Sequence, residues 1–351
     1  MKIYILNTGG TLGMVGVPLR PARTVFDLMQ GVNVPKGIDL KHQDFHDIMD
    51  STNMRHQDRL EIGKIIAKYY SNHDAFIILH GTDSLAETTS FLSMLFKTSL
   101  QKPIFVIGAQ MTKDESGSEA TMQIENTLRV AKSFKKRGVV GVFNICMGDI
   151  LDGARLRKRR DSDFNAFYTP GIDPVSHAHP KIFFRTSLRY KDQKLLQKGL
   201  KLESSFEQQI ATFKVSADTP PWVLGDLLDK ERLKGAILEC KGAGNIPDRP
   251  WEDKEKQYSW IDIIAMATKK GIHIGILSPF EDGRVNLERY EMGVKAKNAG
   301  AISLESLTPD MADIKFRQAI ALYPDDPLKI QEFISTNFVN ELLPGFEDEE
   351  E

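Results

Sequence analysis

Two short threonine-bearing segments hold the residues of this sequence that are best suited to chemistry. Residues 8–11 read Thr-Gly-Gly-Thr directly after the apolar run 3–6, and residues 80–83 read His-Gly-Thr-Asp directly after the apolar run 75–79. Each pattern is typical of a strand that ends in a polar turn. In an open parallel sheet, the carboxyl ends of strands line the crevice where ligands bind. The two segments therefore predict one shared site with two hydroxyls and a carboxylate.

Taken one at a time, the two segments also have ordinary structural interpretations. Gly9 and Gly10 allow a tight turn in which the backbone approaches a ligand, but Gly-Gly pairs are also common turn formers. Either polar residue of the second turn could be the N-cap of the helix that follows. Ser84 and Glu87 have the spacing of a capping box, however, which would leave the preceding threonine and aspartate free for another role.

The size and charge of the chain exclude several functional classes. With 351 residues, of which 41% are apolar and 27% charged, it is long enough for two globular domains. Its 46 basic and 48 acidic residues give a net charge of −2, which provides no field for nucleic acid or an anionic membrane. A small molecule is the expected partner, and we expect neither a metal nor a cofactor.

Cysteine use and hydropathy predict a location inside the cell. Cys146 and Cys240 both lie in apolar runs, where cysteine usually behaves as a small buried hydrophobe, so a disulfide framework is not expected. The N-terminus leads straight into a short strand, without the longer apolar core of a signal peptide. No apolar run approaches the roughly twenty residues of a membrane span. We therefore expect a soluble cytoplasmic protein.

The elements that must position the two threonine segments alternate between short apolar runs and longer amphipathic stretches. Continuous apolar runs predict strands buried on both faces at 3–6, 75–79, 103–108 and 139–145. Helical spacing predicts helices at 58–69, 84–97 and 118–136. The alternation implies right-handed parallel crossovers and an α/β fold.

Composition changes along the chain predict two domains. The larger N-terminal domain, 1–190, has a mostly parallel sheet flanked by helices, and the polar, lysine-rich stretch 191–210 is the predicted linker. A smaller C-terminal α/β domain spans 211–345, and an acidic tail, 346–351, is expected to be disordered. The predicted strands of the second domain are 210–213, 235–240 and 273–277, and its predicted helices are 222–233, 260–270, 287–299 and 309–322.

The two threonine segments resemble the paired signatures of the bacterial-type L-asparaginase family, at the separation which that family shows. Asp-Ser-Thr-Asn-Met at 50–54 resembles its substrate-binding Asp-Ser-Ser-Asp-Met segment. The similarity continues at 106–110, 153–167, 242–247 and 283–293, so it covers nearly the whole chain. The sequence is most similar to the cytoplasmic type I members, and the resemblance implies the two-domain asparaginase/glutaminase-like fold.

The resemblance implies four catalytic residues: Thr11, Thr82, Asp83 and Lys158. Thr11 would attack the side-chain amide carbon of asparagine to give a covalent acyl-enzyme and ammonia, and water would then release aspartate. A threonine hydroxyl is a weak nucleophile at neutral pH and needs a base. Lys158 falls where the family carries its catalytic lysine and completes a second triad with Thr82 and Asp83. Without the resemblance, the basic run 155–160 is better interpreted as a solvated surface loop.

Substrate binding is implied for a further set of residues: Asp50, Ser51, Thr52, Gly81, Ala109, Gln110 and Asn245. Asparagine carries an α-ammonium and an α-carboxylate, so the site needs both acceptors and donors. Asp83 is the candidate for the ammonium, and Ser51, Thr52 and the Gly81 backbone are candidates for the carboxylate. Asn245 resembles a family position that reaches the substrate site of a neighbouring subunit, which implies a homodimer or homotetramer.

Several positions depart from the family pattern and leave other functions open. The loop after Thr11 normally carries a tyrosine that supports the nucleophile, and there is none between residues 14 and 30. Ser-Glu-Ala at 118–120 replaces Ser-Asp-Gly, and Glu-Ser-Leu-Thr at 305–308 replaces Gly-Asp-Met-Thr. The first hypothesis is an L-asparaginase. The alternatives are a glutaminase-type amidohydrolase or amidotransferase component, and a catalytically weak or silent amino-acid-binding homologue.

Overall fold

The computed structural model describes residues 1–184, 188–228, 232–252, 257–281 and 283–344. The chain divides into two units, Met1–Ser204 and Ser205–Glu351, each with its own sheet. This confirms the predicted fold class, a larger N-terminal α/β domain and a smaller C-terminal α/β domain. The acidic tail predicted at 346–351 lies outside the described residues. None of the helices in the described ranges has the length and apolarity needed to span a membrane.

Twelve described strands and five α-helices make up the first unit. The strands are β1 (Lys2–Gly9), β2 (Met14–Val15), β3 (Arg20–Pro21), β4 (Asp39–Met49), β5 (Ala75–Leu79), β6 (Pro103–Ile107), β7 (Gly141–Cys146), β8 (Asp149–Asp152), β9 (Arg157–Lys158), β10 (Phe167–Tyr168), β11 (Ser176–His177) and β12 (Phe183–Phe184). The helices are α1 (Val25–Met29), α2 (His56–Tyr69), α3 (Leu85–Phe96), α4 (Ala120–Arg137) and α5 (Gln193–Lys198). The helix α5 thus lies inside the stretch 191–210, which the sequence predicts as the linker.

Eight of these strands form one sheet in the order β12-β11-β8-β7-β6-β5-β1-β4. The neighbours from β4 to β7 are parallel, and the neighbours from β7 to β12 are antiparallel. Every residue of β5 and β6 is buried, which requires cover on both faces of the sheet. The helices α3 and α4 pack against this part of the sheet. Continuous apolar runs therefore marked the centre of the sheet correctly.

The edge strand β4 is longer than any predicted strand, yet it left no signal in the sequence. Among its eleven residues only Phe45 is buried, and most of the others are polar and exposed. Backbone hydrogen bonds to β1 hold it in register, with Lys2 opposite Asp39. An edge strand with charged side chains is protected against pairing with other chains, but it lacks the apolar pattern that identifies buried strands.

The second unit contains a four-stranded parallel sheet. The described strands of this unit are β13 (Ile210–Lys214), β14 (Gly235–Glu239), β15 (Trp251–Glu252), β16 (Gln257–Tyr258), β17 (His273–Leu277) and β18 (Ile302–Ser303). The four-stranded sheet has the order β13-β14-β17-β18, and β15 and β16 form a separate two-stranded pair. Its helices are α6 (Trp222–Leu228), α7 (Trp260–Lys269), α8 (Glu291–Asn298), α9 (Pro309–Leu322) and α10 (Pro327–Ser335). The helix predicted from residue 287 begins only at Glu291, because the backbone of Tyr290 is extended and Leu287 is buried in the preceding loop.

A buried ion pair fixes the end of the described chain to α9. Lys315 and Glu341 are both fully buried, and their side chains are 2.8 Å apart. Lys315 Nζ also donates to the carbonyl oxygens of Ile334 and Thr336. The Glu341 carboxylate accepts from the backbone N–H of Val339. A buried pair of this kind is tolerated because each charged group is hydrogen-bonded on more than one side.

Two glycines bring the polar turns after β1 and β5 into direct backbone contact. β1 and β5 are parallel neighbours with Asn7 opposite Leu79, so both strands end at the same level of the sheet. A Cβ atom on Gly10 would lie 2.3 Å from the Cα and N atoms of Gly81, and Gly10 has a φ of +90°. Only glycine fits this combination of backbone angle and close approach.

We expect Gly10→Ala to be much more destabilising than Gly31→Ala, which serves as a matched control. Gly31 also has a positive φ, +74°, but no atom lies within 4 Å of its Cβ position. The backbone angle alone should cost about 1 kcal/mol at Gly31. At Gly10 the added collision should raise the loss to about 3 kcal/mol or more. Urea unfolding of the two variants measures the difference, and equal losses would contradict the backbone contact.

Candidate active site

The first threonine segment leaves the Thr11 hydroxyl unencumbered. β1 ends at Gly9, and Thr11 begins a single 3-10 turn, Thr11–Gly13, that is closed by a hydrogen bond from Gly13 N to Gly10 O. Thr11 is partly exposed, and within the described residues its hydroxyl makes no hydrogen bond. A hydroxyl that has no internal partner remains free to contact a bound molecule.

A short hairpin follows this turn and occupies the place of the loop that lacks a tyrosine. Its strands, β2 and β3, pair Met14 with Pro21 and Val15 with Arg20. The tip projects into solvent, since Val17 is fully exposed and Leu19 is half exposed.

The second threonine segment and Lys158, which the family resemblance implies as partners, form one hydrogen-bonded group. Lys158 Nζ lies 2.9 Å from Thr82 Oγ1 and 2.6 Å from Asp83 Oδ1. The Lys158 side chain is 16% exposed, Thr82 is 6% exposed, and the Asp83 side chain is 61% exposed. Lys158 reaches this place from β9, which pairs antiparallel with β10 and sets Lys158 opposite Phe167. At Lys158 the basic run 155–160 is therefore part of a strand pair and not a solvated loop.

The geometry allows proton exchange between a hydroxyl and an amine. The Lys158 ammonium can donate to both the Thr82 hydroxyl and the Asp83 carboxylate. When it loses a proton, the same nitrogen is within reach of the Thr82 proton. Asp83 is the group that orients the amine, which matches the nucleophile, base and orienting-group logic of hydrolases. The Thr11 hydroxyl is the candidate to exchange a proton with the Thr82 and Lys158 pair. Its turn is the neighbouring one, because Gly10 lies against Gly81.

His80, at the end of β5, has a structural role that the sequence did not predict. It is fully buried, and its Nδ1 lies 2.7 Å from the Gly81 carbonyl oxygen. Because a carbonyl can only accept, Nδ1 carries the proton and Nε2 accepts from the Thr88 hydroxyl at 2.9 Å. Arg59 Nε donates in turn to Thr88 Oγ1. Burial and the nearby Arg59 lower the pKa of His80 to about 4, so this chain holds the Gly81 turn with a neutral imidazole.

The segment 50–54 packs against the second turn. Asp50 caps the 3-10 turn Ser51–Asn53 by accepting from Thr52 N at 2.9 Å. Ser51 is 2% exposed, and its Oγ accepts from Ser84 N at 3.4 Å. The Thr52 hydroxyl is 3.5 Å from Asp83 Oδ2, at the edge of hydrogen-bond range. Thr52 thus lies beside the predicted ammonium-binding carboxylate, whereas the Ser51 hydroxyl faces the protein.

The capping box predicted from Ser84 and Glu87 is wrong. Ser84 is the N-cap residue of α3, but its side chain makes no capping hydrogen bond. Its hydroxyl donates to the Ser51 carbonyl at 2.6 Å instead, and the Glu87 carboxylate pairs with Arg59. Tertiary partners therefore outcompete the local cap.

The last two predicted positions in this unit follow β6. Ala109 is 2% exposed and its methyl packs in the core, so only its backbone is able to face a substrate. Gln110 Oε1 lies 3.4 Å from Thr82 Oγ1, which joins Gln110 to the hydrogen-bonded group of Thr82, Asp83 and Lys158. Glu119, which replaces the family aspartate, accepts from the Gln110 backbone N–H and is 4% exposed. The sequence change at 118–120 was the only signal for this contact.

Asn245 lies in the second unit, on a tight turn just after β14. Its backbone N donates to the Lys241 carbonyl at 2.7 Å, and the Lys241 N–H returns a bond at 3.2 Å. The turn contains Gly242 and Gly244, both with positive φ. In the described parts of both units, no three His, Cys, Asp or Glu side chains are grouped as metal ligands.

The fold and this group of side chains define an amidohydrolase with a threonine, lysine and aspartate constellation. A family model described as "Asparaginase, N-terminal" matches residues 2–190, and one described as "Glutaminase/Asparaginase C-terminal domain" matches residues 209–334. The chain belongs to the asparaginase family, which confirms the family predicted from its motifs.

Individual relatives extend over the whole chain. It is 26% identical to L-asparaginase 1 of Escherichia coli (strain K12), over 98% of each sequence. It is 27% identical to a component of the glutamyl-tRNA(Gln) amidotransferase of Methanopyrus kandleri, over 99% of this chain and 77% of that protein. The thermostable L-asparaginase from Thermococcus kodakarensis has the same fold, with a TM-score of 0.85 over 98% of this chain and 100% of that one at 23% identity.

We expect the buried His80 to make stability fall in mild acid. Its pKa, about 4 in the folded protein, is below the 6.5 of an unperturbed histidine, so protonation favours the unfolded state. The contribution is complete above pH 6.5 and is lost as the pH falls towards 4, by about 3 kcal/mol at most. Urea unfolding at several pH values measures it. His80→Gln should flatten the profile between pH 6.5 and 4, and His42→Gln, at an exposed position, should leave it unchanged.

Proposed function

We propose that this protein is an L-asparaginase that hydrolyses L-asparagine to L-aspartate and ammonia through an acyl-enzyme on Thr11. The observation that carries the proposal is the Lys158 amine, held 2.9 Å from the Thr82 hydroxyl and 2.6 Å from Asp83. The Gly10 contact with Gly81 sets this group beside the turn of Thr11. The relatedness to E. coli L-asparaginase 1 over the full length supports the same reaction.

In the first half of the proposed reaction, Thr11 Oγ attacks the side-chain amide carbon of asparagine. Its proton passes to the Thr82 and Lys158 pair, which removes the barrier that a neutral hydroxyl faces as a nucleophile. Collapse of the tetrahedral intermediate breaks the C–N bond, and the amide nitrogen leaves as ammonia after it takes up a proton. Thr11 is then an aspartyl ester.

In the second half, water attacks the ester carbonyl. The same Thr82 and Lys158 pair takes a proton from the water, and a proton returns to Thr11 Oγ as the C–O bond breaks. Aspartate leaves, and the enzyme regains its starting protonation state. No cofactor or metal takes part in this scheme.

The proposed substrate contacts follow from charge. Asp83 is more than half exposed, and its Oδ2 is directed towards Thr52, so it is the proposed acceptor for the α-ammonium. Thr52 and the Gly81 backbone would hold the α-carboxylate. We further propose that Asn245 of a second copy completes the site, which makes the active form a homodimer or homotetramer. A cytoplasmic location, with no nucleic-acid or membrane partner, belongs to the same proposal.

Thr11→Ala and Lys158→Met should each reduce ammonia release from asparagine by about 10³-fold or more, since they remove the nucleophile and the base. Two substitutions of the same chemical type outside the site serve as controls. Thr98 and Lys64 are both exposed, and Thr98→Ala and Lys64→Met should leave the rate unchanged. An active Thr11→Ala enzyme would rule out the acyl-enzyme. A wild-type protein that binds aspartate calorimetrically without turnover would instead be a silent binding homologue.

A second candidate function is supported by the similarity to the glutamyl-tRNA(Gln) amidotransferase component. In that case the site would release ammonia from glutamine, which is one methylene longer than asparagine. Rates for the two amides decide between the functions. A kcat/KM for asparagine at least about tenfold above that for glutamine is expected, because one methylene in a fitted pocket is worth about 1–3 kcal/mol. A higher value for glutamine would favour the glutaminase hypothesis.

A further inference from the structure

Gln110 contacts the proposed catalytic group through its side-chain amide. It follows β6, and its side-chain carbonyl oxygen is 3.4 Å from the Thr82 hydroxyl oxygen. Its amide nitrogen is 3.4 Å from the Arg160 carbonyl oxygen and 3.3 Å from the Asp163 carbonyl oxygen. These two carbonyls fix the orientation of the amide, because they can accept only from its NH₂ end. The oxygen of Gln110 must therefore face Thr82.

The Thr82 hydroxyl has one proton, and its surroundings decide where that proton points. The Lys158 ammonium, paired with Asp83 at 2.6 Å, donates into Thr82 Oγ1 and is unable to accept from it. Gln110 Oε1 is the remaining acceptor that contacts Thr82 among the described residues. The long distance makes this a weak bond, which the hydroxyl is able to release when Lys158 loses its proton.

Two further contacts hold Thr82 and Gln110 in place. A Cβ atom on Gly108 would lie 3.0 Å from the Thr82 methyl carbon and 2.7 Å from the His80 carbonyl oxygen, so the methyl packs on the bare glycine and the hydroxyl is turned the other way. The Gln110 backbone N–H donates to Glu119 Oε1. The second carboxylate oxygen of Glu119 is buried and has no hydrogen-bond partner among the described residues. A buried carboxylate with one partner is costly, so loss of the bond from Gln110 would leave the Glu119 carboxylate without a partner among the described residues.

We propose that Gln110 is a positioning residue, which fixes the direction of the Thr82 hydroxyl proton while Lys158 is protonated, and that Glu119 holds the Gln110 backbone for this task. The inference rests on the proposed hydrolysis. It gives Gln110 a different role from the substrate contact that the family resemblance implies. In the resting site the Thr82 proton points to Gln110. Once Lys158 has released its proton to solvent, the Thr82 proton turns towards the Lys158 nitrogen and is taken up there, and Thr82 becomes able to take up the proton of Thr11.

The kinetic test uses two substitutions of Gln110 with asparagine as substrate. Gln110→Met keeps the length of the side chain but removes the acceptor, and it should lower kcat about tenfold with KM unchanged within about twofold. Gln110→Glu keeps an acceptor oxygen and loses the NH₂ group that donates to Arg160 and Asp163. Its kcat should return to within about threefold of the wild type.

The outcomes that would overturn the proposal differ from each other. A large rise in KM with kcat unchanged would make Gln110 a substrate-binding residue. A Gln110→Glu enzyme as slow as Gln110→Met would make Gln110 an anchor of the loop that carries Arg160, because only the NH₂ group serves that purpose.

Neutron diffraction from crystals of the wild-type protein in heavy water provides a readout that is independent of activity. The Thr82 deuteron should be directed at Gln110 Oε1, and a deuteron directed at solvent or at Lys158 would contradict the proposal. If the wild type hydrolyses no amide, the proposed function fails on its own, whereas the neutron map still decides where the hydroxyl points.

Discussion

The candidate site depends on the contact between the backbones of Gly10 and Gly81. Each glycine belongs to a turn after a central parallel strand. A Cβ atom on Gly10 would collide with the Gly81 backbone, and a Cβ atom on Gly81 would collide with Ser51 and lie 3.2 Å from Gly10 Cα. This contact brings the segment of Thr11, whose hydroxyl has no hydrogen bond among the described residues, against the segment of Thr82, whose hydroxyl is hydrogen-bonded to the Lys158 amine. The sheet supplies the common level of the two strand ends, but the sheet alone would keep the turns a strand spacing apart. Because neither glycine has a side chain, the backbones of the two turns can approach more closely than a strand spacing.

Around this contact the structure separates two kinds of polar group. His80, Thr88 and Arg59 form a fully buried chain that ends on the Gly81 carbonyl, and it is made of hydrogen bonds that keep the turn fixed. Lys158 and Asp83 form a partly exposed pair that is open to exchange of protons. The first group is held in place because burial excludes water and because Arg59 Nε, the Thr88 hydroxyl and His80 Nδ1 each have an acceptor. The second is suited to chemistry because the Asp83 carboxylate is open to solvent while the Lys158 amine beside it is largely covered.

The departures from the family pattern have different structural outcomes. The change at 118–120 places Glu119 under the backbone of Gln110, so this departure lies next to a residue that contacts Thr82. The change at 305–308 puts Glu305 in a left-handed conformation within the second unit, where Gln331 and Ser335 donate to its carboxylate. The missing tyrosine corresponds to a hairpin with an exposed tip, and the Thr11 hydroxyl makes no hydrogen bond in the described residues.

The sequence by itself determined the fold class, the central strands and the family. Strands such as 75–79 are buried on both faces, so their apolar runs are continuous and are recognised without knowledge of their neighbours. Motifs with glycine and threonine at fixed positions indicated the family and led to the proposed catalytic residues, because they combine a backbone requirement with a reactive side chain. The edge strand 39–49 could not be predicted, since its pairing with β1 depends on backbone hydrogen bonds and not on an apolar pattern.

Only the tertiary structure decided which polar groups act together. Lys158 is 75 residues from Asp83 in sequence, and its basic run alone indicated a surface loop; pairing with β10 brings its amine to the carboxylate. Ser84 and Glu87 had the local spacing of a cap, but both side chains bond to residues that are distant in sequence. Ser84 donates to the Ser51 carbonyl, and Glu87 pairs with Arg59. Hydrogen bonds are short-ranged and do not depend on sequence separation. A sequence therefore reveals which groups are present, and only the packed chain reveals which of them are within about 3 Å of each other.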